Sequence, residues 1–391
     1  MEKIGILTLY YNNDNYGGIA QAYALQKYIE TLGYDATLIS YKRTTPPMLI
    51  RDSFSKNPIA YIQSKMYNFP CKIKQKLNNK IAEFVFQEEL KDDIKKRKQA
   101  FQNSRMAIKH SEKVYTDETI VETVDMYDCF ISGSDQIWKP GVIRPAYVCD
   151  FLPLNKKCFS YASSITVTKL PQEYGEFMKR TLSRYQWISV REKEGKEYLQ
   201  NLLDRKVDVV VDPTLLLPTS MWEDITKDRI IEDKYIFVYL LGQSRKQRDE
   251  IKKYAKKLGV RIVYLPHVEG KIRACDIGFG DVNLYDVDLS QFFSLIKYAE
   301  MIFTDSFHAV VFSIVFKKKF WVFDRVVLQA NSGMGSRLST LLNLTQLTER
   351  KIANKSRIEN IECDIDYNVV SQRLQTEVER SQLLLKKALE D

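Results

Sequence analysis

Short apolar runs alternate with stretches that repeat apolar positions every three to four residues, the pattern of strands and helices layered in an α/β protein. Residues 3–9 form a strand-like run, and a polar loop over 10–18 ends in Gly17-Gly18. Residues 19–32 put Ile19, Tyr23, Leu25 and Ile29 at helical spacing, and Gly33 supplies a stop. With a strand over 36–40 this predicts a βαβ unit. Residues 46–70 read as irregular and 71–105 as a charged helical stretch. Strands are predicted at 129–132, 158–162, 187–190 and 207–211, with a helix over 192–203 between the last two. The segment from Asp212-Pro213-Thr214 to Pro218 breaks the pattern and places the domain junction there. A second set follows, with strands at 235–241, 261–265, 301–303 and 320–323 and helices at 247–258, 290–299 and 308–316. A last helix covers 369–389.

A chain of 391 residues exceeds one ordinary core, so two domains are expected. The apolar share of 45% and the charged share of 28% are those of a globular protein. No stretch approaches the ~18 apolar residues of a membrane span. Six cysteines, scattered from Cys71 to Cys363 without a CxxC pair, read as reduced packing residues. The first residues run directly into a strand, so no export signal and a cytoplasmic location are expected. The formal charge of +9 changes the picture in one place: much of the excess lies in 72–105, around Lys95-Lys96-Arg97-Lys98. The plain reading is a solvated helix face, and the functional one is peripheral contact with an anionic inner membrane face. No nucleic-acid motif accompanies it, so no nucleic-acid partner is expected.

The sharpest chemical signal is Thr304-Asp305-Ser306-Phe307-His308. An apolar run stops abruptly and a second one starts with a histidine in its first turn, which reads as strand, cap, helix. A helix start carries unpaired N–H groups and a positive dipole end, so it is a ready anion site. Asp305 or Ser306 is the expected N-cap. His308 would stand beside the anion at the carboxyl edge of a sheet, placed to shuttle a proton. In the loop after the first strand, Gly17 suits close approach of backbone to a ligand, and Asp14 and Asn15 suit hydroxyls. That loop lacks GxGxxG, so a dinucleotide is not indicated. Asp135, Gln136 and Trp138 form a sugar-binding set, with polar groups for hydroxyls and an aromatic face for the ring. The alternative is that Asp135 caps a helix and Trp138 packs in the core. Arg191, after the strand at 187–190, and Arg337, after a glycine-rich loop, can each clamp a carboxylate or phosphate, or be ordinary surface arginines. Asp212 is expected to tie down the linker.

Taken in order from residue 3 to about 345, these segments resemble the polysaccharide pyruvyl transferase family. The matching pieces are Asn15-Tyr16-Gly17-Gly18 with Gln21-Ala22-Tyr23-Ala24-Leu25, Gly133-Ser134-Asp135-Gln136-Ile137-Trp138, Tyr161-Ala162-Ser163-Ser164, Ser189-Val190-Arg191-Glu192, Asp212-Pro213-Thr214-Leu215 and the Thr304 to His308 motif. The resemblance implies two facing Rossmann-like domains with a cleft between them, the GT-B-like arrangement. Residues 1–215 would be the acceptor side, with a helical insertion at about 46–110; 216–365 would be the donor side and 366–391 a C-terminal helix. It implies transfer of an enolpyruvyl group from phosphoenolpyruvate to a sugar of a cell-surface polysaccharide or its lipid-linked precursor. The products would be a pyruvate ketal and phosphate, with no metal or cofactor required. His308, Asp305 and Asp135 would move protons, and Ser306, Phe307, Arg191 and Arg337 would hold the donor. Asp14, Asn15, Gly17, Gln136 and Trp138 would hold the acceptor. One departure stands out: many members carry an arginine two residues before the motif histidine, and here that position is Ser306. The clamp must then come from Arg191, Arg337 or nearby lysines, or the donor differs. Two other readings stay open, a GT-B glycosyltransferase using a nucleotide sugar and a non-catalytic glycan-binding protein of the same fold.

Overall fold

The computed structural model describes residues 1–44, 73–166, 172–267, 272–325, 334–352, 358 and 364–391. The readings made for 46–70, the glycine-rich loop at 331–333, Cys71 and Cys363 lie outside the described residues.

Two parallel six-stranded sheets organise the chain. The first holds β1 (Lys3–Leu7), β2 (Asp35–Leu38), β3 (Cys129–Ser132), β4 (Lys157–Ser163), β5 (Trp187–Val190) and β6 (Asp208–Val209), in the order β2-β1-β3-β4-β5-β6. The second holds β7 (Tyr235–Tyr239), β8 (Arg261–Tyr264), β9 (Val282–Asn283), β10 (Met301–Thr304), β11 (Phe320–Phe323) and β12 (Lys351–Ile352), in the order β12-β11-β10-β7-β8-β9. β3, β7, β10 and β11 are buried at every position, as expected of parallel strands covered on both faces. Helices α1 (Tyr16–Thr31), α2 (73–86), α3 (Lys91–Met106), α4 (Gln172–Leu182) and α5 (Lys193–Leu203) belong to the first half of the chain. Helices α6 (Thr219–Asp224), α7 (Arg245–Leu258), α8 (Leu289–Lys297), α9 (Phe307–Val315), α10 (Met334–Thr345) and α11 (Tyr367–Glu390) follow.

Strand order reverses between β1 and β3 in one sheet and between β7 and β10 in the other. Carboxyl ends at such reversals are where open α/β sheets bind ligands. Asp135 emerges just after β3 and His308 just after β10, so each domain delivers a predicted site residue from its own reversal point.

Helix α11 and the α2–α3 insertion help stitch the halves together. Helix α11 crosses back over the first half: the Ser381 hydroxyl accepts from Val211 N at 3.1 Å and Gln382 donates to the Leu216 carbonyl at 2.9 Å. Its first residue, Tyr367, donates from the other half to the Ser313 carbonyl at 3.3 Å. The α2–α3 insertion, although encoded in the first half, docks on the second. Arg97 is buried and donates to the carbonyls of Pro266, Leu284 and Tyr285, the last two at 3.1 and 3.0 Å. This corrects the reading of 95–98 as one solvated basic face, because Arg97 spends its donors inside the protein.

Candidate functional site

The site lies where the first turn of α1 meets the first turn of α9. Asn15 caps α1, its side chain accepting from Gly17 N at 3.0 Å and Gly18 N at 3.3 Å. Tyr16 stacks on Phe292 of the other domain at 4.5 Å between ring centroids, and its hydroxyl donates to the Val287 carbonyl at 2.7 Å. This fixes α1 against the second domain and brings Gly17 under His308. A Cβ on Gly17 would lie 1.9 Å from His308 Nδ1, so only glycine fits. The close approach predicted for Gly17 is therefore to a side chain of the opposite domain, not to a ligand.

Around His308 stands a buried charged cluster. Arg191 donates to Asp212, and to Asp135 Oδ1 at 3.3 Å. Arg337, in the first turn of α10, reaches the same Asp135 oxygen at 3.3 Å. The two guanidinium groups flank the Phe307 ring at 4.9 and 5.7 Å from its centroid. Asp212 Oδ2 lies 3.6 Å from His308 Nε2, close enough for attraction but longer than a hydrogen bond. Its Oδ1 accepts from the Thr214 amide and hydroxyl at 3.0 and 2.6 Å. Glu192 accepts from the Ser164 hydroxyl.

Charge states follow from burial and neighbours. Burial pushes the Asp212 carboxyl up, but Arg191 and His308 outweigh it and hold it well below the usual carboxylate range. Burial alone would depress Arg191; Asp212 and Asp135 more than offset it, and the group is raised. Arg337 has a weaker share of the carboxylates, and burial together with the nearby Arg191 pushes it down to about 10. Burial raises Glu192, with Arg191, Arg337 and the Ser164 hydroxyl offsetting only part. Among the described residues, Nε of Arg191, Nε of Arg337, Oε2 of Glu192 and Nε2 of His308 are buried without a hydrogen-bond partner. Ser306 is the N-cap of α9, yet its side chain makes no capping bond. Two guanidinium edges and an imidazole thus surround an uncapped helix start, an arrangement that suits a ligand with two acidic groups. It opens on a cavity of about 600 Å³ lined in part by Arg191, Lys193, Lys196, Phe307 and Arg337.

Several predicted site residues sit elsewhere. Asp305 follows β10, but its carboxylate accepts from Leu241 N at 2.7 Å and Gly242 N at 2.6 Å, tying down the turn after β7. This fully engaged, buried group is not placed as an acid or base. Trp138 is fully buried and donates from Nε1 to the Tyr147 carbonyl at 3.0 Å. It belongs to the core and offers no ring face to a sugar. Asp14 pairs with Arg105 at 3.1 Å, and Asn15 is spent on the helix cap. Gln136 remains half-buried beside the cluster's Asp135. Asp135 stands at the N-cap position of the short 3-10 turn Gln136–Trp138, but its side chain makes no capping bond; it sits at φ 62°, a rarely adopted conformation, and bridges the two arginines. Asp212, expected only to tie down the linker, also faces Arg191 and His308. Its signals in the sequence were its place at the carboxyl end of a strand and its membership of the Asp212-Pro213-Thr214-Leu215 piece of the family resemblance. Among the described residues no group of three or more His, Cys, Asp or Glu side chains is placed to hold a metal, and no helix is long and apolar enough to cross a membrane.

Two facing parallel sheets, a charged site at their reversal points and a returning C-terminal helix define a GT-B-like two-domain protein. The chain belongs to the polysaccharide pyruvyl transferase family, whose family model matches residues 15–325. No curated protein matches the sequence. Among solved structures, the chain is similar to UDP-GlcNAc 2-epimerase from Neisseria meningitidis bound to UDP-GlcNAc, at 12% identity over 100% of both chains with a TM-score of 0.49. It is also similar to UDP-GlcNAc 2-epimerase from Methanocaldococcus jannaschii, at 10% identity over 97% of this chain and 93% of that one, with a TM-score of 0.47.

Proposed function

We propose that the protein transfers the pyruvyl unit of phosphoenolpyruvate, as a ketal, to two hydroxyls of a sugar in a cell-surface polysaccharide or its lipid-linked precursor. The observation that carries this reading is the pair Arg191 and Arg337. Both are buried, both keep an unpartnered Nε, and they flank Phe307 beside the uncapped start of α9. Phosphoenolpyruvate offers the matching pair of acidic groups, and Arg337 takes the place of the arginine absent at Ser306. In the reaction the donor methylene gains a proton and the first sugar hydroxyl forms a C–O bond to the central carbon, losing its proton. The bond from that carbon to the phosphate oxygen then breaks, phosphate leaving with the electron pair. The second hydroxyl closes the ketal. The two hydroxyl protons end on the methyl group and on phosphate, so protons must move within the site, and we assign that transfer to His308. Asp212 orients and charge-balances His308 and Arg191.

One feature weighs against a nucleotide-sugar donor. The turn that opens α7 is the first βα turn of its domain, where dinucleotide folds seat a pyrophosphate. Its Leu241 and Gly242 amides already serve the Asp305 carboxylate. The deciding experiment measures phosphate release from phosphoenolpyruvate and an acceptor glycan by wild type and His308→Ala. A thermal shift with phosphoenolpyruvate but not with nucleotide sugars, and release lost in the variant, supports the proposal. Release within threefold of wild type, roughly 0.65 kcal/mol in barrier, removes His308 from the role. Oligosaccharide binding without any donor response would leave a glycan-binding protein.

A further inference from the structure

Helix α2 turns its more apolar side to solvent. On its docked side, Ala82 is buried with Leu90 and Ile272, and Phe86 packs against them. Asn79 ties the same side down, donating to Gln243 at 3.0 Å and accepting from Ala274 N at 3.1 Å. Facing out are Ile73, Leu77, Ile81, Phe84 and Val85, exposed by 50, 56, 53, 82 and 58%. These are five of the fourteen exposed large apolar side chains among the described residues, gathered on one helix rather than scattered. At about 100° per residue they span an arc of roughly 120°. Lys76 and Lys80 border that arc on one side, and Lys74 lies just inside its other margin. Glu83, the one acid of this helix, lies beyond Lys76, outside the arc.

We propose that α2 is an interfacial helix that seats the protein on an anionic bilayer. An apolar arc edged by lysines is what such a helix needs: the side chains enter the acyl boundary while the lysine stems lie along it and carry their charges to anionic headgroups. The α2–α3 insertion docks on Pro266, Leu284 and Tyr285, which follow β8 and β9 at the carboxyl edge of the second sheet, the edge that also carries the start of α9. α2 thus docks on the domain that carries α9, whereas the cavity beside Arg191 and Arg337 is lined by α5, β6, α10 and α11. That the bilayer presents a lipid-linked acceptor rests on the proposed transferase reading; the membrane contact itself does not.

The test is co-sedimentation of the full chain with vesicles of phosphatidylcholine alone or mixed with phosphatidylglycerol. Wild type is expected to bind the mixed vesicles and not the neutral ones. The double variant Leu77→Gln/Phe84→Gln is expected to lose about tenfold or more in binding with its thermal midpoint unchanged in the absence of lipid. Lys76→Gln/Lys80→Gln should weaken binding and flatten its salt dependence. Phosphate release towards a soluble acceptor should be unaffected in both, which separates failure of this proposal from failure of the reaction. Unchanged vesicle binding overturns it. So does a fall in the thermal midpoint of Leu77→Gln/Phe84→Gln without lipid, which would mean that the chain itself covers the arc. A concentration-dependent dimer dissolved by the same variant would mean that a second copy does.

Discussion

Gly17 and His308 come from opposite domains and meet with no room to spare: a Cβ on Gly17 would stand 1.9 Å from Nδ1 and 2.3 Å from Cγ of the imidazole. The capped first turn of α1 is thus the floor on which the histidine rests. Alanine is a better helix former than glycine, so Gly17→Ala would favour α1 in isolation. Any loss must come from the collision with His308. The expected cost is about 1–3 kcal/mol in unfolding free energy, with phosphate release down by about tenfold or more. In Gly17→Ala/His308→Ala the ring is gone and the stability should return, a coupling that a double-mutant cycle by urea unfolding measures. A Gly17→Ala enzyme as stable and active as wild type would mean that this contact does not position the histidine.

Arg337 illustrates a group kept against its own stability. Burial next to Arg191 holds it down to about 10, below the ordinary arginine value, so the folded state disfavours its charged form at neutral pH. Arg337→Met should therefore leave the urea midpoint unchanged or higher at pH 7, while Asp135 keeps Arg191 as its partner. The same variant should lose the thermal shift that phosphoenolpyruvate gives wild type. Arg337→Lys keeps the charge but not the planar fork, and its KM for the donor should rise by about tenfold. A strong loss of stability in Arg337→Met, with donor response retained, would make Arg337 a structural residue.

Much of this architecture was legible from the apolar pattern. β3, β5 and β11 run where their apolar runs predicted, and the ends of β7, β8 and β10 fall within two residues of the prediction. β9 and β12 were not predicted, because two residues hold no period and each pairs only as the edge of a sheet already formed. α4 carries a stripe of Tyr174, Met178 and Leu182, but as a short helix between polar stretches it gave no strong signal. At the site, His308, Arg191 and Arg337 stood out as lone polar groups at strand ends and helix starts. Asp212 and Glu192 lay within the family's motifs but were given no site role, since a carboxylate there reads as a cap until a distant segment approaches it. Trp138 shows the converse. A tryptophan beside an acid and an amide has the composition of a sugar site and equally of a core whose indole N–H has found a carbonyl.

Asp305 and His308 sit three residues apart in one motif and should behave differently on substitution. The Asp305 carboxylate serves two backbone amides, whereas the His308 Nε2 makes no hydrogen bond and has the Asp212 carboxylate 3.6 Å away. Asp305→Asn retains one acceptor oxygen and should keep phosphate release within a few-fold of wild type while costing about 1–3 kcal/mol of stability. His308→Ala should show the reverse, with lost release and little change in the urea midpoint. Activity lost in Asp305→Asn at unchanged stability would restore Asp305 as an acid or base.

Acid stability should report His267, which follows β8. Burial, reinforced by the nearby Arg273, pushes its ring down to about 3, against about 6.5 in an unfolded chain. The folded value is the lower one, so below pH 6.5 the unfolded chain takes up a proton that the folded protein refuses. The contribution is complete above about pH 6.5 and is lost as pH falls towards 3, at up to about 1.4 kcal/mol for each pH unit. Asp212 and Asp276 act lower down: both are held below the usual carboxylate range, so their contribution is present above about pH 4 and disappears beneath it. Urea unfolding of wild type and His267→Gln between pH 7 and 3 separates the two effects. The variant should lose the slope between pH 6.5 and 4.5 and keep the steep fall beneath pH 4, whatever its absolute stability. Equal slopes in the two proteins over the upper range would remove His267 as the source.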